Sequence, residues 1–212
     1  MAATLEDIIG YLEEQELKFR VLEGQDRILT GFGTQRYRDG DGDLHLHLII
    51  ALEEDGEFFK VFAPNCYRIS IEENMLAAYQ CLLMVSWRSK MVMFELDNDG
   101  EGVCATVEFP LEDSGLTASQ MMRAIYAVVR ILEYYHPVIE AAINTGVVDF
   151  TATEDSEAVL EMMQQILESA MEEDSDDSDI ELTGMVDETI DEDEYSDEPS
   201  SDEDSDDLGD FI

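Results

Sequence analysis

Charge is spread so unevenly along this chain that it decides which part can fold. All eleven Lys and Arg residues precede position 131, the last being Arg130, whereas residues 172–212 hold 21 Asp and Glu in 41 positions. Like charges at that density repel. The same segment has too few large apolar residues to offset a chain entropy of roughly 1–2 kcal/mol per residue. The sequence therefore predicts a disordered acidic tail over Glu172–Ile212. Without it, residues 1–171 retain 31 acids against 11 bases, a balance of −20 within the −41 of the 212-residue chain. The expected folded part is thus acidic in its own right.

That sign excludes whole classes of partner. A duplex presents one phosphate charge per ~1.7 Å and its binder needs a basic face, so no nucleic-acid binding is expected. An anionic membrane surface is disfavoured for the same reason. The N-terminus MAATLEDIIGYLEEQELKF carries acids where a secretory signal needs bases, and no apolar run reaches the ~18 residues of a membrane span. Cys66, Cys81 and Cys104 are odd in number and sit in apolar stretches, unlike a disulfide framework or a zinc site. Together these features point to the cytoplasm. Only three of the bases are lysine, so a protein adapted to high salt is one reading of the acidity, and an acidic protein of an ordinary cytoplasm is the other.

Hydrophobic spacing gives the order of elements. Thr4 and Asp7 stand in capping-box spacing ahead of a stripe of Leu5, Ile8, Ile9 and Leu12, predicting an opening helix. Strand signals follow at Arg27–Gly33, at the strictly alternating Leu44, Leu46, Leu48, Ile50 and Leu52, and at Phe58–Ala63, with Lys18–Leu22 a further short candidate. DGDG at Asp39–Gly42 and EDGE at Glu54–Glu57 supply hairpin turns between them. Ser70 and Glu73 are spaced as a second capping box. The helix predicted after them has its apolar residues at Met75, Leu76, Tyr79, Leu82, Leu83 and Trp87, all read as core.

Met91–Leu96 and Val103–Leu111 form another strand pair around DNDGEG. Thr117 and Gln120 cap a long helix with a stripe that includes Met121, Met122, Ile125, Val128, Leu132, Tyr135 and Ile139. Pro137 is expected to kink or restart it and Gly146 to end it. A last helix, roughly Glu154–Met171, shows Leu160, Met163, Leu167 and Ala170 at spacings of four and three. The expected fold class is α+β, an antiparallel sheet covered by helices in the order αβββαββα, with an added C-terminal helix and then the tail. The domain reading is 1–150, an additional amphipathic helix over 151–171, and the tail over 172–212.

The stretch from Leu82 to Gly146 also carries a resemblance. A helix runs into the strand FELD (Phe94–Asp97), then comes the DG turn, a strand ending in PLED (Pro110–Asp113), and LT (Leu116, Thr117) opening a long helix. In order and spacing these motifs resemble the YbjN family of bacterial sensory transduction regulators, over about residues 4–146. That family is similar in fold to type III secretion chaperones, also αβββαββα. The resemblance implies a non-enzymatic α+β domain that dimerises and handles protein partners, and it offers no catalytic set or cofactor to carry over. The tail and the −20 of the domain lie outside its pattern.

Constellations that could carry chemistry fail on their spacing. DGDGDL at Asp39–Leu44 has acids at positions 1, 3 and 5 of a calcium loop, but Leu44 and Ile50 stand where glycine and a bidentate glutamate are required. DNDGEG reads likewise as a turn. His45 and His47 share one strand face, a spacing that could offer a metal two imidazoles, and a metal-dependent enzyme built on them is one alternative function. Gly31, Phe32 and Gly33 lack the third glycine of a dinucleotide fingerprint. No catalysis, metal or cofactor is expected.

Partner binding is the stronger expectation. Flexible thioethers suit adaptable surfaces, and Met162, Met163 and Met171 gather on the last predicted helix. The residues expected to contact a partner are Leu160, Met163, Leu167 and Met171 on that helix. Leu208, Phe211 and Ile212 follow at the tail's end, where acids precede a short apolar anchor like the tip of bacterial single-stranded DNA-binding proteins. Ser175, Ser178, Ser196, Ser201 and Ser205 precede acids and would suit an acid-directed kinase. The function read from the sequence is a protein-binding or regulatory module, chaperone-like and homodimeric, whose tail steers or shields partners that are themselves basic. The rival is an acidic holdase or nucleic-acid mimic that acts through charge alone.

Overall fold

Tight turns and one helical crossover set the strand order. In a computed structural model of the chain, residues 2–154 are described, save 23, 25, 99 and 113. The elements are α1 (Leu5–Glu14), β1 (Phe19–Leu22), β2 (Arg27–Gly33), β3 (His45–Glu53), β4 (Phe58–Arg68), α2 (Met75–Arg88), β5 (Met93–Leu96), β6 (Gly102–Pro110), α3 (Ala118–Thr145) and the short α4 (Thr151–Glu154). The six strands form one antiparallel sheet in the order β1-β2-β3-β4-β6-β5. The short candidate strand at 18–22 is thus β1, on the sheet's edge. After β4 the chain leaves through α2 and returns as the β5–β6 hairpin, placing β6 against β4 and β5 at the other edge.

The acidic turns are built by their own side chains. Asp39 Oδ1 accepts from the Asp41 and Asp43 amides at 3.1 and 2.9 Å, and Asp97 accepts from Glu101 and Gly102 at 2.9 and 2.8 Å. Between β3 and β4, Glu54, Asp55 and Gly56 all take positive φ. Gly56 has no room for a Cβ, which would meet the Ala3 carbonyl, and its own carbonyl accepts from Ala3 N at 3.0 Å. This close approach ties the N-terminus to the sheet.

The main core lies on one face of the sheet, although Ile49, Ala51 and Thr106 on the other face are buried as well. Leu46, Leu48 and Ile50 of β3, Phe59 and Val61 of β4, and Val103, Ala105 and Val107 of β6 join Ile8 and Leu12 of α1, Cys81 and Val85 of α2, and Ile125, Val128, Leu132 and Ile139 of α3 in a single core. The strand register places His47, Ile49, Phe62, Lys60, Thr106 and Glu108 on the opposite face. There Lys60 Nζ lies 3.2 Å from Glu108 and 3.8 Å from Glu95, a cross-strand charge cluster.

The caps at Thr4–Asp7 and Thr117–Gln120 form as reciprocal capping boxes, and Gly146 ends α3 in the left-handed region at φ 71°. Three expectations need correction. Ser70 and Glu73 do not box: a 3-10 turn over Glu72–Asn74 precedes α2, and Asn74 donates instead to the Ile143 carbonyl at 3.0 Å, tying α2's start to the end of α3. Helix α3 runs through Pro137 as one helix, without the restart the sequence allowed. The proline sits on the exposed side, where the carbonyl it releases can bond water, while buried Tyr135, His136, Val138 and Ile139 hold the rod on both sides of it. Finally, β4 continues past Ala63 to Arg68, through a register shift that accommodates Pro64, which has no amide to donate.

The helix expected over Glu154–Met171 and the tail from Glu172 lie outside the described residues. Among the described residues, no helix is long and apolar enough to cross a membrane.

Candidate functional site

Helix α2 is apolar around most of its circumference, more than one sheet-covering stripe requires. Ala78, Cys81, Leu82 and Val85 point into the core. Leu76, Leu83 and Trp87, read from the sequence as core, point away from it and are 79, 71 and 90% exposed. Their spacings of seven and four place them along one side of the helix. With Tyr79, Gln80 and Met84 they make up one open, largely apolar side of the helix. The Tyr79 hydroxyl donates to the Gly100 carbonyl at 2.8 Å, tying this side of α2 to the β5–β6 turn. The surplus apolar perimeter of α2 is the signal that could have separated these residues from the core.

A basic margin adjoins the stripe. Arg88 closes the last turn of α2 and lies 3.9 Å from the centre of the Phe150 ring, a cation–π contact. Arg88, Lys90 and Arg130 line a hollow with Met91 and Tyr134. Among the described residues none of these three bases is in ion-pair distance of a carboxylate. In a chain with eleven bases against 52 acids, three bases around one hollow is a local reversal of sign.

The chain beyond α3 comes to the same place. Phe150 packs edge-on against Tyr135 at 6.0 Å, and the Tyr134 hydroxyl donates to the Thr153 carbonyl at 2.7 Å. Asp149 caps α4 by accepting from Thr151 N at 2.9 Å. Residues 149–153 are thereby fixed at the Trp87–Arg88 end of α2.

The other titratable groups are structural. Tyr67 and His136 Nδ1 are 3.2 Å apart in the core, Tyr37 donates to the Cys66 carbonyl at 2.9 Å, and His136 Nε2 lies 3.6 Å from Glu140. Burial lowers the His136 imidazole and raises the Tyr37 and Tyr67 phenols. Burial also pushes the Cys81 thiol up to about 11 and that of Cys104 to about 12, so neither is an activated nucleophile. Sequence spacing gave no sign of this core network, because its members are far apart along the chain.

His45 and His47 do come together, their rings 4.4 Å apart. Gly31 makes the room, since a Cβ there would lie 2.6 Å from His45 Nε2. Burial, then the neighbouring His45, lowers His47. Among the described residues no group of three His, Cys, Asp or Glu could hold a metal ion, and His136 is engaged elsewhere. The partner-contact residues expected from the sequence, Leu160, Met163, Leu167, Met171, Leu208, Phe211 and Ile212, all lie outside the described residues.

No family model matches the chain, and no curated protein matches it. Solved structures do. The chain is similar to YbjN from E. coli, a candidate transcription regulator, at 10% identity and a TM-score of 0.46, covering 63% of this chain and 91% of that one. It is also similar to an uncharacterized protein from Methanothermobacter thermautotrophicus at 15% identity and a TM-score of 0.43, covering 66% and 98%. The family named from the sequence recurs among these structures.

Proposed function

We propose that the chain is a non-enzymatic protein-binding module, chaperone-like in action, whose working surface is the outer side of α2. The observation that carries this reading is the exposure of Leu76, Leu83 and Trp87 along one helix side. Burying a side chain of that size is worth about 1.5–3 kcal/mol, and a single contiguous stripe of them is costly to leave in water. The spacing fits a partner that presents an amphipathic helix, laid lengthwise along α2. Trp87 is the natural anchor, since tryptophan dominates binding energy where it fills a partner's pocket.

In this reading residues 1–150 are the binding domain and 172–212 act at longer range. An acidic tail would speed encounter with basic partners and leave the dissociation rate, set by apolar contact, unchanged. The test is capture from native lysate with the full-length protein and a full-length Leu83→Asp/Trp87→Asp variant, each washed at low and high salt. A discrete partner that resists salt on the wild type and is missing from the variant supports the reading. Basic proteins held equally by both and released above ~0.15 M salt would mean that charge alone binds.

A further inference from the structure

We propose that residues 154–171 of this same chain are the resident occupant of the α2 face, docking antiparallel to α2 as a built-in competitor for the partner. The inference rests on the reading of α2 as a binding face and adds its regulation.

The first support is where the chain leaves. Phe150 under Arg88 and Thr153 on Tyr134 deliver it to the Trp87–Arg88 end of the stripe. A segment starting there has the whole stripe ahead of it, running back toward Leu76.

Length and spacing give the second support. Leu76 to Trp87 spans eleven positions, and so does Leu160 to Met171, which would give the same length of about 16 Å in the helix that the sequence spacing predicts there. Leu160, Met163, Leu167 and Met171 follow one another at three and four residues, so on the predicted helix they would form a stripe matching Leu76, Gln80, Leu83 and Trp87 in length and period. Antiparallel, Leu160 falls near Trp87 and Met171 near Leu76.

Charge gives the third. The segment opens with Glu154, Asp155 and Glu157 and has no basic residue, and it follows Thr153, which is held on Tyr134 in the same hollow as Arg88 and Lys90, in a protein where bases are scarce. Tethering does the rest. A short connection holds an effective concentration on the order of 1 mM, so an intrinsic Kd of about 0.1 mM would close the face about ten to one. A partner would then bind more weakly by that same factor until the segment is displaced.

Trp87 is the only tryptophan, so its fluorescence reports the face directly in the full-length protein. The experiment compares acrylamide quenching of the wild type with a full-length Leu160→Asp/Met163→Asp/Leu167→Asp variant. It is run across protein concentration with sedimentation in parallel, and with a synthetic peptide of residues 151–171 added up to about 1 mM. The expected result is a shielded Trp87 in a monomeric wild type, a several-fold rise in quenching and a red shift in the variant, and recovery of shielding when the peptide is added. Trp87 equally quenched in wild type and variant would overturn the proposal, as would shielding that appears only with dimer formation, which assigns the face to a second copy. Lost shielding that the peptide fails to restore would also overturn it. The broader reading is judged separately: partner capture by the triple variant, abolished by Leu83→Asp, stands or falls whatever Trp87 reports.

Discussion

Leu82 and Leu83 are neighbours in sequence with opposite tasks. Leu82 is 4% exposed and faces the core, whereas Leu83 faces outward. Leu82→Ala should cost about 2–5 kcal/mol in urea unfolding, while Leu83→Ala should cost no more than about 1.4, the whole free energy of a ten-to-one docking on the α2 face. Equal costs at the two positions would mean that Leu83 belongs to the core and not to an outward face. His136 offers a test by pH. Burial holds its imidazole below 6.5 against the opposing pull of Glu140 and Glu133. The folded state therefore binds fewer protons than the unfolded chain once pH drops through 6.5, and stability present above that value is lost toward the folded pKa. Between about pH 7.5 and 5 the wild type should lose more stability than His136→Gln, whose side chain does not titrate.

Helix ends and turns were the most legible elements, because their chemistry is local. Thr117 accepts from Gln120 N at 3.2 Å while the Gln120 side chain accepts from Thr117 N at 3.0 Å, as the spacing implied. The same spacing at Ser70 and Glu73 failed because a distant residue intervened: Asn74 reaches the end of α3, and a 3-10 turn takes the place of the box. Thr117→Ala should thus cost about 1 kcal/mol and Ser70→Ala less than about 0.5, measured by thermal or denaturant unfolding. The outward side of α2 was illegible for a related reason. An apolar residue at helical spacing signals a buried face in general, and only the sheet's position decides which side of an all-round apolar helix is inward. The His45–His47 pair was legible as a shared strand face, but the space for it came from Gly31 on the adjacent strand.

In the proposed reading, charge and apolar contact divide the work of binding between rate and lifetime across the whole molecule. If the tail steers partners, raising salt from about 0.05 to 0.5 M should slow association markedly and leave dissociation from α2 nearly unchanged, as read by surface-based kinetics with the captured partner. The core helices gather on one sheet face, and that placement leaves Leu76, Leu83 and Trp87 of α2 outward and exposed. The most direct measurement places a photo-crosslinking side chain at position 83 of the full-length protein in its native lysate, with exposed Arg20 on β1 as the control position. A discrete adduct from position 83, absent from position 20 and lost when Leu76 and Trp87 are changed to Asp, is the expected result. An identical adduct pattern from both positions would contradict a binding face on α2.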